Sequence, residues 1–145
     1  MERIIQEKIS ADHLLYVSLK YTKTADIMLN LIARWASMIE MSINSILEQA
    51  KKKKLIKSIP TAPKPKLDLV KELYKKNDDI TNSLNVYEFF KKIPDLEKLR
   101  ENEFRKNFCL KVLYKGEWII IDMEKLKEYS IILERFISQI KQILK

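Results

Sequence analysis

The chain has 145 residues and a net charge of +8 from 28 basic and 20 acidic side chains, with one glycine, one cysteine and one histidine. One cysteine excludes an internal disulfide, one Cys with one His cannot form a zinc cage, and one glycine cannot build a glycine-rich phosphate loop. The 46% hydrophobic and 33% charged content is that of a globular chain, the length suits one helical domain over residues 1–145, and no apolar run approaches the ~20 residues of a membrane span.

In chain order, residues 2 to 21 read as a helix with Ile5, Ile9, Leu14, Leu15, Ser18 and Tyr21 near one face. Thr22 and Thr24 can cap a new helix with Asp26 in its first turn. Helical spacing also runs straight through this point, so one helix from near Ser10 is the alternative to two antiparallel ones; two bury more and are preferred. Thr24 to Lys54 contains no Gly or Pro and places Met28, Ile32, Trp35, Ile39, Ile43, Ile46 and Ala50 at steps of three and four, the period of a helix. Pro60, Pro63 and Pro65 then end it and force an extended connection. Short helices follow on Leu67, Val70, Leu73 and Tyr74, and on Ile80, Leu84, Tyr87 and Phe89 or Phe90, the second closed by Pro94. Asp95 to Asn107 reads as a further, charged helix on Leu96, Leu99 and Phe104. Residues 108–122 cluster β-branched and aromatic side chains around Gly116, the signature of a hairpin. Asp122 caps a last helix carrying Leu126, Tyr129, Leu133, Phe136, Ile137, Ile140 and Leu144, which should pair with the opening helix. The fold class is mainly all-α, an up-and-down bundle of four to five helices with a small β-hairpin.

The charge is unevenly spread. Residues 51 to 76 hold ten Lys against Asp68 and Glu72, whereas the flanking stretches are almost neutral. Lys51, Lys52, Lys53 and Lys54 form a field suited to phosphate or an acidic surface, although cations are also favoured at the negative end of a helix dipole. His13 has only Asp12 beside it, and adjacent helical residues diverge, so no acid–base pair is formed. Cys109 lies in an apolar, strand-like stretch and reads as an inert thiol. Arg100 and Asn107 are two helical turns apart, with Glu103 between them, and would share a face where a guanidinium grips phosphate and an amide meets a base or ribose. Arg105 adds charge there, or pairs with Glu101. No spacing points to a metal or a cofactor, and the N-terminus has no signal-peptide core, which together with a lone thiol suggests the cytoplasm.

The order of elements, together with Leu99 to Asn107 (LRENEFRKN) and Ile9 to Asp26 (ISADHLLYVSLKYTKTAD), resembles a HEPN-type domain of the small archaeal kind. The resemblance implies a helical bundle that often pairs through two helices as a homodimer, and RNA cleavage in active members, whose signature is an Arg followed after four to six residues by His. Arg100 matches the Arg, but Asn107 stands where the His would be. An amide is no general base or acid near neutral pH, so ribonuclease chemistry is disfavoured. What the resemblance then implies is a non-catalytic binding domain for RNA or nucleotide, or for a nucleotidyltransferase-type partner, as in toxin–antitoxin-like systems. The alternative is a metal-independent ribonuclease with an atypical site using Arg100, Glu103 and His13.

Overall fold

The computed structural model describes all residues, Met1–Lys145, as five helices and a three-stranded antiparallel sheet. The chain breaks between the first two helices, as the preference for antiparallel packing requires. Helix α1 (Glu2–His13) runs without interruption into a π-helical turn, Leu14–Ser18, and a last turn, Leu19–Tyr21. The wider π turn lets steps of four stay on one side. Ala11, Leu15 and Leu19 are therefore buried, together with Ile4 two turns before Ala11, while Ile9 and Tyr21, expected on the inner face, are exposed.

Thr24 then starts α2 (Ala25–Lys52), its hydroxyl accepting from the Ile27 amide at 3.4 Å. With 28 residues it is a rod of about 42 Å at 1.5 Å per residue. Thirteen of those residues are buried, too many for one narrow stripe, so α2 is covered on more than one side. Helices α1, α3 (Pro63–Leu73), α4 (Asp78–Lys92) and α5 (Met123–Ile143) all pack on it. The proline connection is shorter than its composition suggests, because Pro63 takes the first position of α3, where its missing N–H costs nothing. Asn77 and Asp122 cap α4 and α5, their side-chain oxygens accepting from Ile80 and Lys125. Helix α5 lies mainly against α4 and not, as its stripe suggested, against the opening helix. It reaches α1 through the ion pair of Glu134 with Lys8 at 2.7 Å. An ion pair between Lys71 and Glu88 joins α3 to α4.

The three helices meet at aromatic rings. Trp35 of α2 stacks on Phe90 of α4 at 5.8 Å, and Tyr129 of α5 stands edge-on to both, 6.4 Å from Trp35 and 5.1 Å from Phe90. Such offset and edge contacts suit the ring quadrupoles. Burial pushes the Tyr129 phenol up to about 12, so it stays neutral in this setting at ordinary pH.

The charged helix expected over Asp95 to Asn107 is absent. Pro94 sits in a short 3-10 turn, Ile93–Asp95, and the chain leaves it extended at Leu96. Lys98–Glu101 then forms β1, paired antiparallel with β2 (Cys109–Tyr114), so the hairpin gains a third strand. Positive φ at Asn102 (58°) and Phe104 (66°) excludes helix between them. The hairpin of β2 with β3 (Glu117–Ile121) turns at Lys115-Gly116, both at positive φ, as a two-residue primed turn requires. Leu110, Val112 and Ile121 face the helices and are fully buried. No helix is long and apolar enough to cross a membrane.

Trp35→Ala removes the ring that both aromatic partners touch and should cost about 3–5 kcal/mol, measured by urea denaturation. A loss under about 1 kcal/mol would show that the three-ring contact is not the centre of this core.

Candidate nucleic-acid interface

Glu103 and Arg100 are tied to the start of α2. The first amides of a helix have no partner within it. Thr24 satisfies one, and Glu103, 78 positions away, satisfies another: its carboxylate accepts from the Ala25 amide at 3.2 Å. A negative charge there is also favoured by the helix dipole. Arg100 places Nη2 3.2 Å from Asp26 Oδ1 and Nη1 3.6 Å from Glu103 Oε1, so its charge is neutralised from two sides. The backbone adds a third tie, the Phe104 N–H donating to the Lys23 carbonyl at 2.7 Å.

The shared helical face of Arg100, Glu103 and Asn107 therefore does not exist. Glu101 pairs with Lys111 at 2.9 Å and not with Arg105. Arg105 and Asn107 project from the turn that follows Phe104, exposed, with Lys106 between them.

Sequence reasoning missed what lies beside them. The hydrogen bond from Phe104 to Lys23 brings the turn against the segment Lys20 to Lys23. Phe104 is 72% exposed and Tyr21 78%, the two most exposed large apolar side chains of the chain. Lys20 and Lys23 flank Tyr21 in the chain and Arg105 and Lys106 follow Phe104, and none of the four forms an ion pair. Lys23 Nζ donates to the Lys20 carbonyl at 2.7 Å, and Lys20 Nζ lies 5.9 Å from the Tyr21 ring centre. Phe104 is also the bulkiest residue held at positive φ, a conformation that costs on the order of 1 kcal/mol or more for such a side chain. The signal in the sequence was the alternation of aromatic and cation in KYTK and FRKN, unremarkable until the two runs are brought together.

Lys51, Lys52, Lys53 and Lys54 are exposed at the opposite end of α2, about 40 Å from this corner by the rise of the helix. The two groups of candidate residues do not form one surface. Lys54 N–H donates to the Lys51 carbonyl at 3.0 Å and Leu55 N–H to the Ala50 carbonyl at 2.9 Å, the double bond of a Schellman end. That end needs a left-handed residue, and Lys54, at φ 61°, fills it where glycine is usual.

His13 is exposed and Asp12 is bonded to Lys8 at 2.8 Å, which leaves the imidazole without an orienting carboxylate. Burial and then the Glu101 carboxylate push the Cys109 thiol up, away from thiolate reactivity. No three His, Cys, Asp or Glu side chains stand together as a metal set. No protein-family model, curated protein or solved structure matches the chain.

Glu103→Ala leaves the Ala25 amide unpaired and Arg100 half-neutralised, and should lower stability by about 1–2 kcal/mol in denaturant titration. Lys54→Gly should raise stability by up to about 1 kcal/mol, because glycine takes the left-handed conformation without strain. A destabilised Lys54→Gly protein would mean that the lysine side chain itself holds the helix end.

Proposed function

We propose that the chain is a non-catalytic, HEPN-like helical domain that binds single-stranded RNA, with the corner made by Lys20–Lys23 and Phe104–Asn107 as its contact surface. The observation that carries this reading is that the Phe104–Lys23 backbone bond joins two segments, each with an exposed ring, Tyr21 or Phe104, next in sequence to cations that form no ion pair. An aromatic ring stacks on an unpaired base, and cations beside it meet the phosphates on either side. A duplex hides its base faces, so the rings favour a single strand. Asn107 supplies an amide donor and acceptor at the edge of the surface, while Lys51 to Lys54, at the far end of α2, raise the overall positive charge and are not part of it.

Hydrolysis finds little support. Arg100 is ion-paired with Asp26 and Glu103, and Glu103 also accepts from the Ala25 amide, so both side chains already have a structural role at the start of α2. Asn107 offers an amide in place of the imidazole of the active HEPN signature.

Anisotropy titration of a labelled single-stranded RNA should show binding that weakens as salt rises. Phe104→Ala or Tyr21→Ala should weaken it about tenfold, within the 1–3 kcal/mol that one stacked base contributes. Arg105→Ala should reduce the slope of log affinity against log salt by about 1. The RNA should remain intact, with or without Arg100→Ala. Salt-independent or absent binding, or equal affinity for duplex and single strand untouched by Phe104→Ala, would overturn the reading. Cleavage that Arg100→Ala abolishes would establish an enzyme in its place.

A further inference from the structure

We infer that β3 is an open pairing edge and that its occupant is β3 of a second copy of this chain, the two sheets joining into one of six strands. The resemblance implied pairing through helices; this surface is a different one, and it involves no residue of the RNA-binding corner.

The backbone supplies the first observation. The turn at Lys115-Gly116 makes Tyr114 and Glu117 the closing hydrogen-bonded pair of the hairpin. Antiparallel ladders alternate, so Ile119 and Ile121 bond to β2 while the N–H and C=O groups of Trp118 and Ile120 point away from it. None of the backbone hydrogen bonds made outside helices and strands involves residues 117 to 121. Those outward groups form a template for another strand.

The two edges of the sheet differ in how they treat this hazard. In β1, Lys98, Arg100 and Glu101 are charged, and Lys98 folds its amine back onto the Pro94 and Leu96 carbonyls at 3.1 and 2.9 Å. Charged side chains of this kind blunt an edge. In β3, Glu117-Trp118-Ile119-Ile120-Ile121, the sole charge is at one end, and there is no proline, lysine or bulge.

The strand is also complementary to itself. Antiparallel pairing centred on Ile119 sets Trp118 opposite Ile120 of the second copy, and the reverse, in just the pairs whose backbone groups are open. Both side chains lie on the outer face, 42% and 52% exposed, and an aromatic opposite a β-branched residue is a favourable cross-strand pair. The same pairs recur across a two-fold axis through Ile119, as a contact between two identical strands requires. Trp118 and Ile120 already line one shallow depression with Leu99 and Lys111, so the paired sheet has a continuous apolar outer strip. Charged β1 strands form both flanks of the six-stranded sheet, and growth stops at two copies.

Light scattering of the wild-type protein should give twice the 17.3 kDa chain mass. Ile120→Pro removes one outward N–H, and Ile120→Lys places a charge in the seam; each should return the monomer mass with an unchanged helical circular dichroism spectrum. Leu99→Lys, on the same outer face but two strands from the edge, should stay dimeric. In hydrogen exchange the Trp118 and Ile120 amides should be protected in the wild type and lose that protection in Ile120→Lys. A monomeric wild type, a dimer that survives both Ile120 variants, a dimer lost in Leu99→Lys, or assembly beyond two copies would each overturn the proposal. RNA binding that persists in a monomeric Ile120→Lys protein leaves the corner intact as a separate matter.

Discussion

Everything in this molecule depends on the need to cover α2. A helix with nearly half its residues buried cannot be satisfied by one neighbour, and four others pack around it. Trp35 shows how closely that cover is specified, since its ring meets one helix face to face and a second edge-on. The π turn of α1 belongs to the same requirement. It adjusts the first helix so that Ala11, Leu15 and Leu19 continue to face α2 instead of drifting around the surface.

The scarcity of glycine shapes the rest. Positive φ falls on Lys54, Asn102, Phe104 and Lys115 as well as on Gly116. Asparagine tolerates that region through its short polar side chain, and the two lysines send long chains into solvent. Phenylalanine has neither excuse. Its backbone is pinned by the Lys23 carbonyl, and the effect is to hold a bare ring outward where burial would be the ordinary outcome.

The helices were legible from sequence because each announces itself locally: the step of three and four from Met28 to Ala50, the caps at Thr24 and Asp122, the stripe from Leu126 to Ile140. The hairpin was legible from Gly116. The third strand was not, since Lys98–Glu101 is largely charged and becomes a strand only because β2 offers an edge to it. Helical spacing over that segment lines up Arg100, Glu103 and Asn107 on a face that does not form. The corner was illegible for a related reason: Tyr21 and Phe104 gain meaning from a contact between distant parts of the chain, which no local pattern encodes. Lys51 to Lys54 were found by charge alone, and their exposure agrees with it, but their distance from Arg105 could not be read without the orientation of α2.

The bond between Ala25 and Glu103 spans 78 positions. Closing a loop of that length from an open chain costs about 4 kcal/mol in entropy beyond a constant, so the contact waits until the intervening helices have packed. The exposed corner is thus a product of the completed tertiary structure: a fragment that ends before β1 has Tyr21 without Phe104, and one that begins after α2 has the reverse. Unfolding of the first helix or of the sheet separates Tyr21 from Phe104, so the corner is lost as a unit when either end of this long-range tie gives way.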